Sequence, residues 1–302
     1  MRGILATALF SVIACSPSLA QSLLFVAKNS DKPIEVNAKS NIEWQQEKKR
    51  FIARGDAVAV QGDVSVAGDE LMADYRTLPD GSNELYRVFA SGNVTMRSAT
   101  ETATGDAAVY DFDKAVLVLE GDGVRLVTEE GAVQAARALQ YWSNERVAVA
   151  EGSAMAEDAE AHRLFADKLI AFFRQKTSEG EQGATPSAGR GRADIVYLQA
   201  FGNVRMETRQ EIVSGERGSY NIETGVATLD GSVKISQGQN LADGEFAVVN
   251  VKGGTSRLFP SAAAAGMQSP REDARVRALI APSTRPASGE NESEDAGSGQ
   301  GL

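Results

Sequence analysis

Residues able to do chemistry are few and scattered in this chain. It contains one histidine, His162, and one cysteine, Cys15. A lone imidazole cannot build a multi-histidine metal site. His162 stands beside Glu160 and Arg163, and this context reads as an exposed histidine on a solvated surface. Cys15 lies in the N-terminal leader, so the processed chain offers no thiolate nucleophile, intrachain disulfide or cysteine metal site. Acidic residues are plentiful, 41 among 302, yet they alternate with apolar residues, as outward-facing solubilising groups do. Catalysis needs an activated nucleophile, an acid–base pair or a metal cluster. No nucleophile-elbow, phosphate-loop or dinucleotide glycine pattern occurs. The expectation is a protein that is not an enzyme and uses no metal or cofactor.

The scarcity of chemistry turns attention to the elements and to where they reside. Arg2, an apolar stretch over Gly3 to Ile13, and Ser18-Leu19-Ala20 read as a secretory signal peptide cut before Gln21. The alternative is a lipobox, Val12-Ile13-Ala14-Cys15, which makes Cys15 a lipid-bearing N-terminus. The apolar stretch is shorter than the roughly 20 residues a spanning helix needs. A net charge of −10 argues against a nucleic-acid partner, which calls for a basic face. Without disulfides the fold depends on a hydrophobic core, and 42% hydrophobic residues suffice for one.

Alternation dominates from Ile34 onwards. Ile34-Glu35-Val36, Val58-Ala59-Val60, Val64-Ser65-Val66 and Tyr110-Asp111-Phe112-Asp113 read as short strands with one buried face. Glycine is followed by a small polar residue again and again: Gly55-Asp56, Gly62-Asp63, Gly68-Asp69, Gly92-Asn93, Gly105-Asp106, Gly121-Asp122. Such pairs tolerate positive φ and read as tight turns. Strands punctuated in this way point to a sandwich, barrel or β-roll. Ala156 to Phe173 has helical leanings through Ala166, Leu169, Ile170 and Phe173, but the repeat described next puts a strand there.

Gly92-Asn93-Val94-Thr95-Met96 is followed by Gly105, Tyr110 and Gly121. Gly202-Asn203-Val204-Arg205-Met206 is followed, at identical spacings, by Gly215, Tyr220 and Gly231. Weaker copies start at Gly55 and Gly152. Each copy is too small to bury its own apolar face, so neighbours must stack to form a core. Lys176 to Asp194, rich in Gly, Ser and charge, reads as an inserted loop. From Pro282 the Pro-, Gly-, Ser- and acid-rich composition reads as a disordered tail.

From Ser30 to Gly62 the sequence SDKPIEVNAKSNIEWQQEKKRFIARGDAVAVQG resembles the start of lipopolysaccharide transport proteins of the LptA/OstA type. Glu211 to Leu258 is similar to that family's C-terminal half, through Gly215, Tyr220-Asn221-Ile222, Leu229-Asp230-Gly231 and Ala242-Asp243-Gly244. Arg275 to Ser283 resembles its final strand. The resemblance implies an all-β fold, an elongated twisted β-jellyroll or β-roll of stacked short antiparallel strands with open edges. Its boundaries would be a signal peptide over 1–20, a jellyroll over 21–283 with an insertion at 176–194 and a loop at 259–273, and a tail over 284–302.

The same resemblance implies a periplasmic carrier that holds lipid A acyl chains in an apolar interior. It would bridge an inner-membrane-anchored partner to the outer-membrane translocon, with head-to-tail self-association as an option. Carried over by position, the lipid-facing residues are Ile34, Val36, Tyr220 and Ile222. Internal repetition adds Tyr110, Phe112, Met96 and Met206, the methionines as adaptable gap-fillers. The docking edges would be Ile34 and Val36 at one end and Val276, Ala278 and Leu279 at the other, used by strand addition. Burial of acyl CH2 groups at roughly 0.8 kcal/mol each gives about 10 kcal/mol for a dozen carbons before ordering costs. The chain is longer than the family pattern, and Gly121 to Phe173 reads as extra copies of the repeat. A ligand-free structural β-solenoid is the competing reading.

Overall fold

Each rung of the sheet pairs with the rung before it, so the sheet grows along the chain. The computed structural model describes residues 32–129, 131–159, 161–174, 195–209, 211–250, 253, 255–262, 264–266 and 277–279. In it, 18 strands form a single sheet. The long rungs are β3 (Arg50–Gln61), β4 (Val64–Thr77), β5 (Asn83–Arg97), β6 (Glu101–Asp111), β11 (Val147–Asp158), β12 (Arg163–Phe173), β13 (Ile195–Glu207), β14 (Ile212–Asn221), β15 (Val226–Gln237) and β16 (Asn240–Asn250). The other rungs consist of two short strands end to end. They are β1 (Glu35–Asn37) with β2 (Asn41–Gln45), β7 (Val116–Glu120) with β8 (Val124–Thr128), β9 (Gly131–Ala135) with β10 (Ala138–Trp142), and β17 (Thr255–Phe259) with β18 (Arg277–Leu279). All pairings are antiparallel, and the ladder is continuous from β1/β2 to β17/β18. The fold is the all-β jellyroll with open edges that the sequence implies.

Long rungs bend where the glycine-polar pairs fall. Between Arg54 and Ala57, Ser91 and Val94, Glu151 and Ala154, Phe201 and Val204, and Asp230 and Val233 the register slips by a β-bulge. At each bulge a glycine and the residue after it both have positive φ, as at Gly92 (73°) with Asn93 (51°) and Gly202 (72°) with Asn203 (49°). A bulge bends a strand and re-aims its side chains without leaving the ladder. This corrects the expectation of turns at these pairs. Gly62-Asp63 is a hairpin turn, and Gly121-Asp122 breaks β7 from β8. Gly55-Asp56 and Gly92-Asn93 are bulges, and Gly68-Asp69 and Gly105-Asp106 lie on strands facing a bulge. Positive φ is required either way, so sequence alone does not separate a bulge from a turn.

The strand that the repeat puts over the helix-leaning segment is present, and other expectations are revised. The helix-leaning segment is strand β12 from Arg163, because its Leu and Phe residues pack on neighbouring rungs. Tyr110, Asp111 and Phe112 are all buried, not alternating, because Asp111 is folded into the core edge by Arg87 (2.8 Å) and by the Lys114 backbone N–H (3.0 Å). The loop placed at 259–273 starts within β17, which runs to Phe259. The leader with Cys15, the insertion at 176–194, Val276 and the tail at 284–302 lie outside the described residues.

Candidate functional site: an apolar cleft inside the roll

Successive pairings align one side chain per rung into rows along the roll. One row runs Ile42, Ala53, Leu71, Ala90, Ala108, Leu119, Leu139, Ala150, Leu169, Ala200, Gly218, Leu229, Ala247, Leu258. A second, two residues away on each strand, runs from Trp44 through Phe51, Ala73, Val88, Tyr110, Leu117, Tyr141, Ala148, Ala171, Leu198, Tyr220, Ala227 and Val249 to Ser256. Beyond the bulges a third begins at Val36 and passes through Ala59, Val66, Met96, Ala103, Leu126, Val133, Ala156, Leu164, Met206, Val213, Ile235 and Ala242 to Ala278. Apart from Ser256, which ends the second row, these rows carry no hydroxyl outside the tyrosines, and no charge. Their period-two spacing on each strand puts them on one face, and the bulge keeps the two leaves facing each other.

Near the N-terminal end small residues close the rows into packed core, with Ala53, Leu71, Ala90 and Ala108 buried. Towards the middle and C-terminal rungs the leaves separate. Met96, Leu117, Leu119, Leu126, Leu139, Tyr141, Leu164, Leu169, Leu198, Met206, Tyr220 and Leu229 line a cleft there. It holds about 1750 Å³ not filled by protein, its open side included. Burial pushes the phenols of Tyr110, Tyr141 and Tyr220 above their ordinary value, so they stay neutral, and the charged residues of the wall are Glu157 and Asp158 at the end of β11. Other charge is kept on the opposite face: Arg54 bridges Glu43 and Glu70, Glu151 takes Lys168 and Arg137, and Arg217 meets Asp230. Hydrogen bonds from Lys168 first, then Arg137, hold the Glu151 carboxyl below its ordinary value.

Among the residues singled out from sequence, Met96, Met206 and Tyr220 line the cleft. Tyr110 shares the row of Tyr220 but is packed edge-on to Phe112 at 4.7 Å, and both belong to the closed core. Ile222 leans half-buried on that core, outside the cleft. Ile34 and Val36 are exposed at the N-terminal edge. Ala278 is exposed at the other end, and Leu279 pairs with Leu241 across β16. The leucines of β7, β8, β10, β12 and β13 were missed. Their signal is present in the sequence, because each recurs two residues from an apolar neighbour.

Acidic residues are not all outward, which is a second correction. Glu101, Glu211, Asp158 and Asp74 are buried, and so is His162. Glu101 and Glu211 close equivalent turns. Ser98 and Thr208 each accept the following glutamate's N–H and donate their own to its carbonyl. His162 is only 3% exposed because a tight turn folds it back onto Asp158.

The pairing also defines two units. Glu35 opposite Val60 and Asn41 opposite Arg54 recur, at one constant offset, as Ala132 opposite Glu157 and Ala138 opposite Glu151. The rung β9/β10 therefore stands in the second unit where β1/β2 stands in the first. A family model described as "LptA/(LptD N-terminal domain) LPS transport protein" matches twice, over residues 35–147 and 135–255. The chain belongs to this LPS transport family. Both matches include β10, so the LptA-like units overlap at the rung they share. No curated protein matches the chain. Among 19 matching chains of solved structures is the crystal structure of LptH, the LptA homologous periplasmic component of the lipopolysaccharide transport device from Pseudomonas aeruginosa. It is 13% identical, the alignment covers 85% of this chain and 100% of that one, and the TM-score is 0.20. The family match, over residues 35–147 and 135–255, gives the protein a role in LPS transport.

Proposed function

We propose that this protein is a periplasmic carrier that holds the acyl chains of lipopolysaccharide inside its roll and passes the molecule along it. The observation that carries this reading is the cleft, a mainly apolar, partly open interior whose apolar rows run on from rung to rung. A lipid tail in such a groove meets the same surface at every step, so it can move without crossing a polar barrier. Met96, Met206 and Tyr220 contact the chains, with the cleft leucines beside them. Tyr110, Phe112 and Ile222 close the packed end. The charged headgroup stays outside, where a protein of net charge −10 has no need to bury it. The exposed edges, Ile34 and Val36 at one end and Ala278 and Leu279 at the other, receive the inner-membrane-anchored partner and the outer-membrane translocon.

A photo-crosslinking residue at Tyr220, in cells making lipopolysaccharide, tests the reading. Arg217 on the same strand faces outward and is the control. A lipopolysaccharide adduct at Tyr220 and none at Arg217 is expected. Adducts at neither position in a folded protein would leave a ligand-free scaffold as the better reading.

A further inference from the structure

Beyond the third apolar row the same face carries one more, and it is polar. Two residues from Ala103, Leu126, Ala156, Leu164, Met206 and Val213 stand Glu101, Thr128, Asp158, His162, Thr208 and Glu211. Pairing keeps them in line: Glu101 lies opposite Thr128, Thr128 opposite Gly131, and Gly131 opposite Asp158. On the next rungs His162 and Thr208 flank the facing pair Leu164 and Met206, and Thr208 is tied to Glu211 across its turn. Period-two spacing gives this row the facing of its apolar neighbour. Glu101, Asp158, His162 and Glu211 are 4%, 7%, 3% and 7% exposed, and Thr128 and Asp158 reach the wall of the cleft. The hairpin ends therefore form a polar lip along one side of the apolar interior.

The atom on this lip that points to a ligand is Glu211 Oε1. It is buried and accepts no hydrogen bond from the described residues, a state that costs stability while it lasts. Burial also raises the carboxyl above its ordinary value, which suits it to a neutral donor rather than a cation. The acids of the lip are spread along the rungs, and no three acid or imidazole groups converge as metal ligands among the described residues. Where the lip meets the cleft, Glu157 and Asp158 oppose the entry of an anion behind an acyl chain.

We propose that this lip selects the head of the bound lipid, accepting hydrogen bonds from hydroxyl or amide N–H groups at the root of an acyl chain and turning phosphate away, with Glu211 Oε1 as the acceptor. The ligand class is an acyl chain on a neutral, donor-rich head such as an N-acylated amino sugar. A phosphate-headed lipid of the same chain length fills the apolar rows, but it leaves Oε1 unpaired and brings an anion against the acids. The inference rests on the carrier reading for the cleft and adds a preference among heads.

The probes are N-dodecanoylglucosamine and dodecyl phosphate, each titrated below its micelle concentration against the full chain. The unsubstituted chain should bind the glucosamide at least about tenfold tighter than the phosphate. Glu211→Met removes the acceptor and adds apolar surface. It should weaken the glucosamide about fivefold and leave the phosphate equal or tighter. Glu211→Gln keeps Oε1 and should hold the glucosamide within about twofold of the unsubstituted chain. Glu120→Met, exposed at the end of β7, should change neither probe. The comparison between probes needs no variant, so it stands even where Glu211→Met fails to fold. Tighter binding of both probes by Glu211→Met, or equal affinity for the two in the unsubstituted chain, would overturn the proposal and leave a cleft that reads the acyl chain alone. Binding of neither probe would instead remove the carrier reading, and the lip with it.

Discussion

Asp158 Oδ2 lies 2.9 Å from His162 Nδ1, with both side chains about nineteen-twentieths buried. The Asp158 carboxylate also accepts the His162 backbone N–H at 3.0 Å, which ties the turn between β11 and β12. This histidine is a structural clasp at the end of a hairpin, beside the cleft wall to which Asp158 contributes. His162→Ala strips the carboxylate of a buried partner and leaves a void. The expected cost is about 2–4 kcal/mol in chemical denaturation, with an unchanged denaturant slope. A cost within about 0.5 kcal/mol, typical of surface positions, would show the pair to be dispensable.

Gly202 has φ +72°, and a Cβ placed on it would run into the Asp167 carboxylate. That carboxylate is itself held by Asn203 Nδ2 at 2.9 Å. Gly202→Ala should therefore lose about 1–3 kcal/mol through backbone strain and a displaced brace. Gly238, at φ +58° with open space around it, supplies the contrast. Gly238→Ala is strained in the backbone alone and should cost less. Equal melting temperatures for the two variants would mean the acidic brace contributes nothing.

Much of this architecture was legible because the repeat is a physical necessity. Each rung must present small or branched apolar residues inward, and each corner needs φ values that glycine and Asn or Asp tolerate. Gly92, Tyr110, Gly202 and Tyr220 therefore recur at fixed spacings, and the stacking follows. What those spacings could not reveal was the bulge, since Gly92-Asn93 meets the needs of a turn equally well. Nor could they reveal burial that depends on chain reversal. His162 and Glu211 look like surface residues among polar neighbours, and only the hairpin turns fold them inward. The cleft was legible in kind but not in place. Tyr110 and Tyr220 are equivalent in sequence, yet the first is packed edge-on to Phe112 and the second lines open space.

Glu211 is buried, and desolvation raises its carboxyl above the ordinary glutamate value. Its Oε1 has no hydrogen-bond partner among the described residues. In the folded protein it thus takes up a proton at a higher pH than in the unfolded chain. Stability from this group is fully present below the ordinary glutamate range and is lost as pH rises through the raised value. Glu211→Gln removes the ionisation while keeping the shape. It should stabilise the protein at neutral pH by on the order of 1 kcal/mol and leave it unchanged at pH 4. Thermal unfolding of both proteins across that range reads the difference. A gain that does not shrink on acidification would assign the effect to something other than ionisation.

Whether the interior holds spare room is decided by adding volume at two points along it. Ala90 is 3% exposed between Leu71 and Ala108 in the closed end of the first row. Ala171 lies between Ala148 and Leu198 in the second row, where the walls stand apart. Ala90→Phe overfills a packed layer and should destabilise by about 1–3 kcal/mol. Ala171→Phe projects a ring into the cleft, buries apolar surface against its far wall and should leave stability equal or higher. The same ring occupies space an acyl chain would use, so the lipopolysaccharide adduct at Tyr220 should fall severalfold in Ala171→Phe alone. Equal destabilisation by the two substitutions would mean the cleft is closed in solution. A stable Ala171→Phe with an undiminished adduct would mean that the acyl chains reach Tyr220 without passing over Ala171.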